Sequence, residues 1–167
     1  MFIKSLFDHN YWARDKILDG VEAIDAQHLL KPSALSYGTI SGLLTHMLNV
    51  EHLWRVRCRD GQSPSRPLFD EPITEFEVLR NAWQIEEELM LAYVSRLDEP
   101  TLSEKIRYRG QSEGDFQNEL WAILMQFIYH GTQHRSELAL KLTELGHSVG
   151  NLDLIIYLGG SGSKGNC

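Results

Sequence analysis

Apolar residues recur at steps of three and four over four long segments of the chain, and each segment predicts an amphipathic helix. The first covers about residues 3–24, with Leu6, Asn10, Ala13, Ile17, Val21 and Ile24 on one stripe. The second covers about 39–59, with Ile40, Leu43, Met47, Val50 and Trp54 inward. Thr39 or Ser41 is placed to cap its start, and Gly61 follows its end. The third covers about 74–97, where Thr74 and Glu77 read as a capping box. Its inward face is Phe76, Leu79, Trp83, Glu86, Met90, Tyr93 and Leu97. The fourth covers about 117–145 and stops at Gly146. Its stripe is Leu120, Leu124, Phe127, Gly131, His134, Leu138, Leu142 and Leu145.

Four such helices predict an all-α fold, a four-helix bundle. Residues 25–38 and 60–73 carry Pro, Ser and Gly, so they read as long crossover loops. Residues 105–109 alternate polar and apolar side chains, and 110–114 offer turn chemistry. That pattern predicts a small β-hairpin before the last long helix. Residues 151–158 read as a short C-terminal helix folded back on the bundle. The expected organisation is one domain, 1–158, with a flexible Gly/Ser-rich tail at 159–167.

Composition narrows the function classes. The chain has 167 residues, long enough to bury a core without disulfides. Its formal net charge of −7 argues against nucleic acid as a partner. The densest basic run, Arg55-Val-Arg-Cys-Arg59, is short and reads as a solvated helix end. Cys58 and Cys167 form no CxxC pair, and Cys58 reads as a free thiol. There is no signal-peptide core and no apolar run of membrane-spanning length, which predicts a cytoplasmic protein with no membrane partner.

The histidines carry the chemistry. His130 and His134 are four residues apart, so their rings project from one side of a helix, one turn apart. His46 borders the inward face of the second helix. If the two helices face each other, three imidazoles converge, a donor set for zinc, nickel, copper or ferrous iron. Three protein ligands leave a coordination position open, as reactive sites do. His9, His28, His52 and His147 fall off the inward stripes and are not expected ligands. Two polar residues interrupt apolar stripes. Asn10 is a candidate for lining a cofactor cavity or bonding a neighbour. Glu86 is a candidate catalytic carboxylate, orienting a ligand histidine or acting as general base. Glu51, five residues after His46, is expected to point away from it.

Several segments together resemble the DinB/YfiT-like family of metal-binding four-helix bundles. Phe7-Asp-His-Asn-Tyr-Trp-Ala13 resembles the family's opening YN-x-WA signature. Leu44-Thr-His-Met-Leu-Asn-Val-Glu-His-Leu-Trp54 resembles its second-helix segment, and His130-Gly-Thr-Gln-His-Arg135 its last-helix HxxxHR. Leu152-Asp-Leu-Ile-Ile-Tyr157 resembles its closing segment. Ser136-Glu137 departs from the Gly-Gln that relatives often carry there. The resemblance implies that His46, His130 and His134 bind a divalent metal, often zinc or nickel, and that the protein is a homodimer. It also implies a small-molecule substrate. Related bundles use the metal to activate a low-molecular-weight thiol such as bacillithiol, mycothiol or glutathione. The leading expectation is therefore a metal-dependent thiol transferase. The alternatives are a hydrolase using metal-bound water, and a non-catalytic metal- or ligand-binding stress protein.

Overall fold

The inward stripes fold as helices held by caps at their ends. A computed structural model describes residues 2–109 and 114–161. Its elements in chain order are α1 (Phe2–Glu22), α2 (Ile40–Asp60), α3 (Phe76–Val94), α4 (Glu99–Leu102), β1 (Lys105–Arg109), β2 (Asp115–Glu119), α5 (Leu120–Glu144) and α6 (Leu154–Ser161). Thr39 caps α2, its hydroxyl accepting the Gly42 N–H at 2.8 Å. α5 closes in a Schellman pattern, with the His147 N–H on the Leu142 carbonyl and the Gly146 N–H on that of Thr143.

Three boundaries differ from expectation, each for a local reason. The Thr74–Glu77 capping box does not form. α3 starts at Phe76, and its N-cap Glu75 makes no side-chain cap bond. The preceding Ile73 is tied to α2 through Ser41 Oγ on its carbonyl and Thr45 Oγ1 accepting its N–H. That pins the chain and delays the helix. α5 begins at Leu120 because residues 117–119 pair with 105–107 in the antiparallel hairpin. α6 starts at Leu154 and runs into the segment expected to be tail, through Ser161. The remainder of that tail and the hairpin tip at 110–113 lie outside the described residues.

Around the bundle α1 touches α5 and α3, and α2 touches α5 and α3. The order is therefore α1, α5, α2, α3, with α1 and α2 on a diagonal. The long 25–38 connection follows from that: successive helices that are not neighbours need a crossing segment. The same order makes α2 and α5 neighbours, which positions the site.

The core has two apolar ends and a polar middle. One cluster gathers Ile17, Leu43, Leu48, Leu79, Trp83, Leu138 and Leu142. The other gathers Phe7, Tyr11, Cys58, Met90, Leu124 and Phe127. Between them every long helix contributes buried polar groups: Asn10 and Arg14, Glu51 and Arg55, Glu86, His134 and Arg135. A buried polar side chain is tolerated when it is paired, so this layer is where chemistry is expected.

On α2 the buried stripe is rotated from the expected one. Val50 and Trp54 are half-buried, while Glu51, Arg55 and Cys58 turn inward. Glu51 is drawn in by the Tyr11 hydroxyl and Arg55 by the Glu86 carboxylate.

Candidate metal centre

Because α2 and α5 pack side by side, His46 meets His130 and His134. One ligand nitrogen from each ring lies within 4.8 Å of the others, a group able to hold a metal ion. His46 Nε2 and His130 Nε2 are 3.2 Å apart. Two nitrogens each about 2.0–2.1 Å from one ion, at a tetrahedral angle, stand about 3.3 Å apart. The spacing observed matches.

A second observation tests the fit. His134 Nδ1 is 2.8 Å from Glu137 Oε1, so the ring donates its Nδ1 proton to the carboxylate. Its Nε2 is then a bare lone pair. That atom is buried and has no hydrogen-bond partner among the described residues. An orphaned acceptor aimed into a cluster of imidazoles is what a cation would satisfy.

The electrostatics agree. Burial first, then the neighbouring His134 and His130, lower the His46 pKa to about 4. Burial and His134 also lower that of His130. Both rings are therefore neutral at neutral pH, the form that ligates metals.

The crossing loop closes over these rings. Glu137 Oε2 accepts from the Ser36 N–H at 3.0 Å and from its hydroxyl at 2.5 Å. Next to it, Tyr37 stacks on His46 with centroids 3.7 Å apart and presents its edge to His134. Gly42 makes this approach possible: a Cβ there would sit 2.4 Å from the Tyr37 carbonyl oxygen. Against the usual preference, burial pushes the Glu137 carboxyl up, but the two Ser36 bonds and His134 outweigh it and hold the pKa low.

Behind the histidines lies the polar layer. Asn10 is buried, and its amide oxygen accepts from Arg135 Nη1 at 2.7 Å. This contact crosses α5 between His130 and His134 at Gly131, where a Cβ would lie 2.9 Å from Arg135 Nη1. Arg135 Nη2 donates to Thr132 Oγ1. Glu51 is fully buried and accepts the Tyr11 hydroxyl at 2.5 Å. Burial raises its pKa to about 7 against the opposing pull of Tyr11 and Arg14. Asn10, Glu51, His130 and Arg135 line a cavity of only about 10 Å³, room for about one water.

Glu86 is buried as its stripe predicts, but its two oxygens are held by Arg55, and His52 lies 3.5 Å away. It lines neither cavity that touches the histidines. The outlying histidines stay out of the cluster; His9, for example, bonds the Leu152 carbonyl at 2.8 Å. Cys58 is buried, and burial pushes its pKa up to about 12 despite the neighbouring Arg57. It is an inert thiol.

One member of the centre, His46, lines a larger cavity of about 470 Å³ between α2 and the 63–67 loop. His46, Asn49, Val50, His52, Leu53 and Arg57 form its α2 wall. Among the described residues no Asp or Glu lines it.

Neither Glu137 nor Tyr37 was assigned to the centre from sequence, and Glu51 was read only as pointing away from His46. A signal existed for Glu137, which is three residues past His134 and so shares its face. None existed for Tyr37, which arrives from a loop. Among the described residues no helix is long and apolar enough to cross a membrane.

Comparison with known proteins fits this geometry. A crystal structure of a DinB-like protein, YjoA from Bacillus subtilis, matches the fold with a TM-score of 0.65 at 23% identity. The match covers 86% of this chain and 93% of that one. No curated protein matches the chain. The family profile of DinB matches residues 1–162, nearly the whole sequence, and the chain belongs to the DinB family.

Proposed function

We propose that His46, His130 and His134 hold a divalent metal ion, zinc or nickel, and that the chain is an enzyme activating a low-molecular-weight thiol for transfer to an electrophilic small molecule. The observation that carries this reading is the buried Nε2 of His134, without a hydrogen-bond partner among the described residues, beside two neutral imidazoles. A bound cation supplies charge that stabilises a thiolate relative to its thiol near neutral pH.

The chain's own residues supply the rest. Glu137 fixes the ring orientation of His134. Tyr37 covers one face of His46 and limits water there. The cavity beside His46 admits the reactants. In the transfer the thiol gives its proton to solvent, its sulfur bonds to the electrophilic carbon, and the leaving group departs with the electron pair.

The lining of that cavity favours this reading over hydrolysis. A hydrolase needs a base beside the water it activates. Glu86 is engaged by Arg55, Glu51 is fully buried, and among the described residues the open cavity offers no carboxylate and one imidazole outside the triad, His52, whose Nδ1 lies 3.5 Å from Glu86. A thiol brings its own nucleophilic atom.

The test offers monochlorobimane to zinc- or nickel-loaded protein with glutathione, bacillithiol or mycothiol in turn. The reading expects one thiol to be consumed faster, with the gain lost on chelation and in His134→Ala. Metal-dependent turnover of p-nitrophenyl esters without any thiol effect would make the protein a hydrolase. Metal binding with silence in both assays would make it a binding protein.

A further inference from the structure

The cavity that opens at His46 ends in a set of arginines that the proposed metal chemistry does not use. We infer that Arg57, with Arg66 beside it, forms a subsite for the carboxylate or phosphate group of the small-molecule substrate. This rests on the reading that the cavity is where the reactants bind.

His46 and Arg57 both belong to α2 and both line the cavity. Eleven positions is about three helical turns, so the two side chains leave the same face, separated by about 16 Å along the axis. Asn49, Val50 and Leu53 floor the groove between them. A substrate lying in it has its reactive atom at the histidines and its other end at the guanidinium.

Arg57 is built into place. It is 6% exposed. Its Nε donates to Ser63 Oγ at 2.9 Å and its Nη2 to the Arg109 carbonyl at 2.7 Å. The guanidinium lies over the rings of Trp54 and Tyr108, 4.8 and 5.1 Å from their centroids. What it lacks, among the described residues, is a carboxylate. The other buried arginines are compensated. Arg14 holds Glu87, Arg55 holds Glu86, and Arg135 lies in the field of Glu51. A buried cation without a counter-charge is costly, and burial lowers the Arg57 pKa accordingly.

Two further arginines border the same space: Arg66 lines the cavity from the loop, and Arg109 lines it with its carbonyl on Arg57 and Ser63. Neither side chain makes an ion pair among the described residues. Asp115 stands opposite Arg109 in the hairpin register without pairing to it. The chain carries a net charge of −7, yet among the described residues this concavity is lined by three arginines and no acid. Such an inverted local charge concentrates anions. A planar fork with free donors suits carboxylate and phosphate oxygens.

The test measures binding of succinate, inorganic phosphate and uncharged succinamide to the full chain at fixed ionic strength. It uses calorimetry on both zinc-loaded and chelator-treated protein. The inference expects saturable binding of at least one anion and none of succinamide. Binding persists after chelation, because the subsite is about three helical turns from the imidazoles. A response to succinate alone assigns a carboxylate; a response to phosphate alone assigns a phosphate. Arg57→Gln and Arg66→Gln each weaken binding about tenfold, while Arg80→Gln, whose side chain pairs with Asp19 and Glu22 elsewhere, does not. If Arg57→Gln fails to fold, the exposed Arg66 decides. Equal binding of succinamide, no anion binding, or affinity unchanged in both variants overturns the inference. Zinc uptake without anion binding sinks the subsite alone. Anion binding without zinc uptake sinks the metal reading and leaves the anion site standing.

Discussion

Removing the Glu137 carboxylate perturbs the centre without touching a ligand. Glu137 Oε1 accepts the Nδ1 proton of His134 at 2.8 Å, and Oε2 takes two bonds from Ser36. Glu137→Ala removes all three. Loss of a carboxylate that orients a metal-ligating histidine costs about 10- to 100-fold in metal affinity, or about 1.4–2.7 kcal/mol. Glu137→Gln keeps a carbonyl for His134 but removes the charge. The difference between a charge-assisted and a neutral hydrogen bond is about 1 kcal/mol, so the loss is about fivefold. The assay is zinc competition against a chromophoric chelator near neutral pH. Glu144→Ala serves as control, because its carboxylate is exposed on the same helix and, among the described residues, pairs with Lys141. The support from Glu137 also has a pH sign. Its pKa is held below the usual 4.5, so its contribution is present above that value and lost as pH falls through the lower folded pKa. Zinc affinity of Glu137→Ala within about twofold of wild type would refute this reasoning.

Other consequences follow from the polar layer. Glu51 has its pKa raised from 4.5 to about 7, so the folded state favours its protonated form. Its stabilising share is complete below pH 4.5 and is lost as pH rises to about 7, at most about 3 kcal/mol. Glu51→Gln should therefore gain stability relative to wild type at pH 8 compared with pH 5; urea melts showing the same difference at both pH values would contradict this. Glu86→Ala leaves the buried Arg55 charge alone and should cost about 3–5 kcal/mol, with zinc content unchanged. Normal stability with zinc lost would instead place Glu86 in the centre. In a Cys167→Ala background, Cys58 should react with Ellman's reagent only on unfolding, and rapid labelling of the native protein would show that burial does not protect it.

How much of this was legible in the sequence depended on periodicity. The α1 stripe from Leu6 to Ile24 is buried throughout, because one face of a helix has a fixed period. His130 and His134 were legible for the same reason, and His46 because it borders a stripe. Glu51 was read only by its spacing from His46 and stays out of the histidine cluster, but it is four residues after Met47 and so near the core side, and Tyr11 on the diagonal helix draws it inward. Tyr37 and Ser36 reach the centre through a long loop whose path depends on contacts remote in sequence, such as Ser36 with Glu137. The start of α3 moved because Ile73 is bonded to α2, again a tertiary effect. Asp98 capping α4 was a readable local signal in the Asp-Glu-Pro run.

The central claim is that three imidazoles from α2 and α5 share one ion. Native mass spectrometry of the purified chain, before and after chelation, tests it directly. The account predicts one divalent ion per chain, removed by chelator and absent in His46→Ala, His130→Ala and His134→Ala while each variant stays folded. An ion retained at full stoichiometry in all three variants, or no ion taken up by the wild-type chain when zinc and nickel are supplied, would contradict it.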